Sequence, residues 1–358
     1  MKGSILQMKR SLIFLLSALI MALMACPALA EEEEPSDPVV PPVVAFRSDF
    51  YIGYLNQELD IPVYCRNKSS VTVPEKYLEL RNQRGEVLER AFWRNPKREL
   101  VFSVYVTEEM LGGNTLSVWL DGEQVSEAPA YAAFSDRTLP RVSHLTPAEP
   151  AVSPMIICSD ATERQVTAML DTLDKYGVKA TFFITGDFLT KTPELVQRIV
   201  AAGHEIASHG MNLVDMTMVT RERARRNIRD FNQLCEDVLG IRPRLFYGHL
   251  GATNSDVTAI VRAEGMEECH VAVDSFDWSE EYRDKFNQMV YRVTSDRVTS
   301  GCLVQFHING YHSAELLDKA LDNWVNVRGY KVLPISELMA LSGRTPPPLP
   351  DAEQAGSL

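Results

Sequence analysis

Cysteine and basic residues are the two things this 358-residue chain is short of. Six cysteines are far too few to staple a protein of this length into a disulfide-built scaffold. Lysine and arginine number 36 against 48 aspartate and glutamate, a formal net charge of −12. Binding to a nucleic-acid backbone runs on counterions released around clustered cations, so nucleic acid is set aside as a partner. Long apolar runs are also missing. The one at Leu12–Met24 is too short and wrongly flanked to span a bilayer comfortably. With 45% apolar and 23% charged residues, the composition fits an ordinary globular protein, neither disordered throughout nor polytopic. At roughly 100–200 residues per domain the length points to two domains.

The Leu12–Met24 run reads as an export signal. Lys9 and Arg10 precede it and Ala28-Leu29-Ala30 closes it, giving the charged, apolar and small-residue regions of a signal peptide over 1–30. Leu23-Met24-Ala25-Cys26 loosely matches a lipoprotein box, so lipidation at Cys26 and a retained N-terminal anchor are the alternatives. Membrane contact is expected only through one of those two; the product is otherwise secreted or associated with the cell envelope. Cleavage removes Lys2, Lys9, Arg10 and Cys26 and leaves Cys65, Cys158, Cys235, Cys269 and Cys302. An odd set lying mostly in apolar stretches reads as buried small hydrophobes with at most one disulfide.

Glu31–Glu34 and four nearby prolines make 31–43 a stiffened, charged spacer. Over 44–134, short runs rich in β-branched and aromatic residues, such as Leu100-Val101-Phe102-Ser103-Val104-Tyr105-Val106, are separated by turn pairs such as Asp121-Gly122. That pattern predicts a small antiparallel β-sandwich of immunoglobulin-like architecture. It holds no His or carboxylate cluster with acid–base or metal spacing, so a spacer or adhesion role is expected. A linker is expected over 135–151 and a disordered, proline-led tail over 343–358.

From 152 to 342 the pattern alternates strand and helix. Strands are expected at Met155–Ser159, Ala180–Thr185, Glu205–Ser208, Leu245–Tyr247, Cys269–Val273, Cys302–His307 and Lys331–Leu333. Apolar stripes at helical spacing lie between them, closed by Gly177, Gly203, Gly240 and Gly329. Seven strands alternating with helices predict a parallel α/β architecture, whose site lies at the C-terminal strand ends. Those ends carry Ser159-Asp160, Ser208-His209, Asp274 to Trp278, and His307. Two His and several Asp on one rim suit a divalent metal together with an acid–base pair.

Asp160, Asp171, the run Tyr176 to Gly186 with its Ala180-Thr181-Phe182-Phe183, Gly203-His204-Glu205-Ile206-Ala207-Ser208-His209, Phe276-Asp277-Trp278 and Gly301–His307 together resemble the NodB-type polysaccharide deacetylases (carbohydrate esterase family 4). The resemblance spans about Val152 to Leu341. It implies a deformed (β/α)7 barrel acting on acetylated polysaccharide, peptidoglycan or chitin-like. It also implies a divalent metal such as zinc, held by Asp-His-His, with an Asp as base and a His as acid.

Carried over residue by residue, the resemblance gives Asp160 and His209 as metal ligands, Asp277 and His307 as catalytic, and Tyr247, Trp278 and Phe306 as substrate-binding. The departures are specific. Without a gap the base position falls on Ser159; a one-residue gap makes Asp160 the base and Ala161 the missing ligand. The second metal His falls on Leu213, and the base-orienting Arg on Tyr247. His249, two residues on, is either a replacement ligand or a solvent-facing loop residue. Two readings follow: an exported deacetylase with an impaired metal site, or a non-catalytic descendant that binds cell-wall glycan or a protein. A third, pairing Ser159 with His209 or His307 in a metal-free hydrolase, is the weakest chemically.

Overall fold

The computed structural model describes residues 43–66, 76–93, 99–137 and 142–346. The expected signal peptide, nearly all of the spacer and the tail beyond Pro346 lie outside the described residues. Among the described residues the N-terminal part holds nine strands: β1 (Val44–Phe46), β2 (Phe50–Tyr54), β3 (Glu58–Cys65), β4 (Lys76–Arg81), β5 (Val87–Trp93), β6 (Glu99–Tyr105), β7 (Gly112–Leu120), β8 (Glu123–Gln124) and β9 (Ala130–Ser135). They form two sheets, β1-β3-β6 and β2-β9-β7-β4-β5, with β8 on β7. Period-2 alternation decides what faces inward: Leu116 and Val118 of β7 share one apolar cluster with Ile61 and Val63 of β3 and Phe102 and Val104 of β6. The pairing is not wholly antiparallel, as the sequence had suggested. The chain crosses between sheets from β1 to β2, so β2 arrives beside β9 in the same direction, with Phe50 opposite Tyr131.

The second part is β10 (Ala151–Cys158), β11 (Thr181–Ile184), β12 (Glu205–Ser208), β13 (Leu245–Phe246), β14 (Glu267–Glu268), β15 (Val273–Asp274), β16 (Leu303–His307) and β17 (Lys331–Val332). All their pairings are parallel, in the order β14-β13-β12-β11-β10-β16-β15 with β17 on β10. The helices α1 (Glu163–Lys175), α2 (Gly186–Lys191), α3 (Pro193–Ala201), α4 (Arg221–Leu239), α5 (Ser255–Ala263), α6 (Phe286–Thr294), α7 (Ser313–Leu321) and α8 (Ile335–Leu341) complete a deformed (β/α) barrel. β10 is buried along its whole length, as a strand covered on both faces must be. Its Ile156 and Cys158 pack with the helices, and Met155 and Ile157 with the opposite cluster. α1 begins at a Thr162–Gln165 capping box and buries Val166, Met169 and Leu173; Gly177, at φ +63, turns the chain out of it. The stripe toward Gly329 is α7 followed by a π-helical turn at Asp322–Val327.

One expected strand is replaced by two. In place of Cys269–Val273 the chain forms β14 and β15. The Cys269 amide donates to Phe246 at 2.7 Å, that of His270 to Val142 at 2.7 Å, and that of Ala272 to Leu303 at 3.0 Å. The segment thus leaves one edge of the curled sheet and joins the other, and β14 and β15 are not paired with each other among the described residues. The stretch expected as linker is bonded to the barrel from Val142 on, with the Leu145 amide donating to Gly301 at 2.9 Å. Cys158, Cys235, Cys269 and Cys302 are free and buried.

The two parts share an apolar cluster in which Phe50, Ile52 and Tyr131 meet Ile228, Val257, Ile260 and Met266. Tyr131 Oη donates to the Ala263 carbonyl at 2.5 Å. Gly113 permits that approach, since a Cβ there would lie 2.0 Å from the Tyr131 oxygen.

Candidate active site

A cavity of about 310 Å³ opens among the C-terminal strand ends of the barrel. Its buried side is Ile157, His209, Tyr247, Gln305 and His307, and its open side His249, Leu250, Asp274 and Trp278. No described residue of the N-terminal sheets lines it.

His307 ends β16 and is held by a buried carboxylate. Asp277 Oδ1 lies 2.9 Å from His307 Nδ1, while Oδ2 accepts from the His307 amide at 2.8 Å and from Ser313 Oγ at 2.9 Å. A carboxylate only accepts, so Nδ1 carries the proton that it receives. The turn delivering Asp277 is strained: Phe276 has φ +63, a region that bulky residues avoid. Arg292 secures it, with its guanidinium 3.9 Å from the Phe276 ring centroid and its Nε donating to the Asp274 carbonyl at 2.9 Å. Gly310 must lack a side chain there, because a Cβ would sit 2.6 Å from the Asp277 carboxyl carbon.

His209, just past β12, is buried, and its Nδ1 lies 2.6 Å from the Tyr247 carbonyl oxygen. Burial lowers its pKa to about 4. The Nδ1 proton is spent on the carbonyl, so Nε2 is the nitrogen left for a ligand. Its ring stacks on that of Tyr247, centroids 5.7 Å apart, and meets His249 edge-on at 6.2 Å. Burial also lowers the His249 pKa, offset in part by Asp215. The Tyr247 hydroxyl donates to Gln305 Oε1 at 3.3 Å, and burial pushes its pKa up to about 12.

Thus the cavity brings together His209, Tyr247, Trp278 and His307, with Asp277 directly behind. Asp160 is not among its lining residues: its side chain is 72% exposed and its carboxylate faces Lys191 Nζ at 3.9 Å. Leu213 is half exposed. Phe306, expected to bind substrate, is instead fully buried against Trp324 with ring centroids 6.2 Å apart. The pleat explains this. Gln305 and His307 point to the cavity, so Phe306 between them points to the helices. Gln305 is missed by the sequence reading, and Asp274, which that reading places on the rim, is given no role by it. The same alternation, counted back two positions from His307, marks Gln305. Asp274 accepts from the Trp278 indole at 3.1 Å and from the Phe276 amide at 2.8 Å.

Residues 154–269 match the family model described as polysaccharide deacetylase. The barrel belongs to the polysaccharide deacetylase family. The chain is 34% identical over 114 residues to a chitooligosaccharide deacetylase of Rhizobium leguminosarum bv. trifolii, covering 31% of this chain and 52% of that protein. It is 30% identical over 171 residues to the uncharacterized protein YlxY of Bacillus subtilis, covering 48% and 52%. Against the curated relatives it matches, the chain spans about half of their length. Among solved structures it is similar to a CE4 family pseudoenzyme from Bacillus anthracis, with TM-score 0.52, 21% identity, and coverage of 65% of this chain and 85% of that one. At that identity the likeness concerns the fold.

The deacetylase family is generally metal-dependent. Among the described residues no group of three or more His, Cys, Asp or Glu side chains could hold a metal ion. His209 offers one nitrogen, Asp160 is turned to Lys191, and His249 adds no third ligand to the pair. The donor set therefore does not fit the three-ligand site that the resemblance implies. What remains chemically organised is the Asp277–His307 pair, joined through Gln305 to Tyr247.

Proposed function

We propose that this chain is an exported, glycan-directed protein whose deacetylase-type barrel has an impaired metal site. It binds polysaccharide of the acetylated peptidoglycan or chitin type far better than it hydrolyses it. The observation carrying this reading is the exposure of the Asp160 carboxylate beside Lys191, outside the lining of the cavity that holds His209. Where the match runs without a gap the base position falls on Ser159, a neutral hydroxyl that cannot act as a base at pH 7; with a one-residue gap it is the metal-ligand position that is lost, to Ala161. The chitooligosaccharide and peptidoglycan deacetylases among its relatives support acetylated glycan as the ligand class. Trp278, half exposed at the cavity mouth, supplies a face on which a sugar ring can stack. The N-terminal sheets, read as an immunoglobulin-like β-sandwich, present the barrel to the glycan.

The intact Asp277–His307 pair favours a second reading, a slow hydrolase that retains its acid. Metal analysis of the purified chain, together with acetate release from acetylated glycan oligomers and retention on insoluble peptidoglycan and chitin, separates the two. Retention without stoichiometric metal or acetate supports the binding reading. Stoichiometric metal, with acetate release abolished by Asp160→Ala and His209→Ala, overturns it. One structural neighbour is a mutant pseudoenzyme with restored enzymatic activity, a precedent for measuring both.

A further inference from the structure

The hydrogen bonds around the cavity all run in one direction, and that direction specifies what the cavity can bind. At one end the Asp277 carboxylate takes the Nδ1 proton of His307 at 2.9 Å. His307 Nε2 then faces the Gln305 amide nitrogen at 3.2 Å and accepts from it. With its nitrogen toward His307, Gln305 turns Oε1 toward Tyr247 and accepts the phenol proton at 3.3 Å. The Trp278 indole proton goes to Asp274, and the His209 Nδ1 proton goes to the Tyr247 carbonyl.

Most donors on the wall are therefore spent inside the wall; one N–H of the buried Gln305 and the imidazole N–H of His249, at the open side, are the exceptions. What the wall mainly retains is acceptor capacity: lone pairs of Tyr247 Oη, the Nε2 lone pair of His209, and the second lone pair on each oxygen of Asp274. Among the described residues lining the cavity there is no lysine or arginine, and Asp274 contributes a negative charge. An acetyl carbonyl is itself an acceptor. In this cavity it would lose its water partners and find only the Gln305 and His249 N–H groups in exchange, with the Asp274 charge against it. A primary ammonium carries a positive charge and three donors, and matches the wall in both respects.

We propose that the cavity selects the primary ammonium of a de-N-acetylated amino sugar over the acetamido group of its acetylated counterpart. Partially N-acetylated glycans carry both groups, so the selection acts along one polymer. The inference rests on the glycan-binding reading and specifies which sugar of the chain occupies the cavity. Asp274 supplies the charge. Tyr247, held in acceptor orientation by Gln305, supplies the neutral partner.

The test is calorimetric titration of the purified protein at pH 6 with glucosamine tetramer and with N-acetylglucosamine tetramer. The glucosamine oligomer is expected to bind about tenfold more tightly, and raising the salt concentration should erode that preference. Asp274→Asn and Tyr247→Phe should each reduce it below about threefold; Tyr247→Phe keeps the ring stack on His209 if the Asp274 variant fails to fold. Equal affinities, a preference for the acetylated oligomer, or a preference unchanged in a folded Asp274→Asn or Tyr247→Phe protein overturns the proposal while leaving glycan binding intact. Failure of both oligomers to bind overturns the glycan-binding reading along with it.

Discussion

Asp277 holds His307 by both of its oxygens, Oδ1 at 2.9 Å from the imidazole Nδ1 and Oδ2 at 2.8 Å from the same residue's backbone amide. Ring and backbone are fixed by one fully buried carboxylate, so the pair is a structural clamp as well as a chemical one. Asp277→Asn must set an amide NH2 against N–H donors that a carboxylate satisfied. We expect it to lower unfolding free energy by about 2–4 kcal/mol. Gly310→Ala, which pushes a methyl against the same carboxyl group, should shift the denaturant midpoint in the same direction. A midpoint unchanged in both variants contradicts the clamp.

The buried imidazole of His209 makes stability pH-dependent. Its folded pKa, about 4, lies below the ordinary 6.5, so the unfolded chain takes up the proton first as pH falls. The stabilisation is therefore complete above pH 6.5 and is lost as pH drops toward 4, by about 3 kcal/mol. His204, also lowered to about 4 by burial, adds to the same limb. Urea unfolding at pH 7, 6, 5 and 4 should show the fall, and His209→Gln should flatten part of it.

Removing metal should cost this protein little. A zinc ion held by three ligands adds its binding free energy to folding, so chelation lowers the melting temperature of a loaded site. Here EDTA is expected to leave the thermal midpoint unchanged and added zinc to raise it by no more than about 1–2 °C. A drop of many degrees on chelation would show a ligand set beyond His209.

Trp278 and Phe306 were both expected to touch substrate, and the barrel separates them. Phe306→Ala empties a site packed against Trp324 and should cost about 3–5 kcal/mol of stability. Trp278 is 53% exposed; Trp278→Ala should leave the melting midpoint nearly unchanged and weaken glycan retention at least about tenfold. Paired thermal melts and pull-downs read out both effects.

The barrel was legible because its strands are covered on both faces and read as apolar runs, and because glycines at positive φ end helices where the stripes stop. The strand predicted at Cys269–Val273 was misread for a physical reason. Apolar content marks burial but not hydrogen-bond partners, and there the partners change from one sheet edge to the other. At the site, identity of residue type gave His209, Asp277, Trp278 and His307, but not the direction in which Asp160 points, since a residue just past a strand end is free of the pleat's alternation. Gln305 was available from that alternation. The one-way donor chain it belongs to was not, because direction is fixed by Asp277, which lies 28 residues upstream.

Arg225 bridges the two parts of the chain. It is buried, pairs with Glu264 at 3.2 Å, and lies 3.9 Å from the Tyr131 ring centroid of the N-terminal sheets. Because it serves a barrel ion pair and the shared interface at once, Arg225→Ala should cost about 3–5 kcal/mol by leaving Glu264 less compensated in a buried setting. Arg242, 3.6 Å away, keeps that cost toward the lower figure. With the interface intact, calorimetry should show a single transition covering both parts. Arg225→Ala should split it into two, with the N-terminal sheets melting separately, whereas Arg229→Ala, which breaks only a surface pair with Asp230, should leave the single transition where it was.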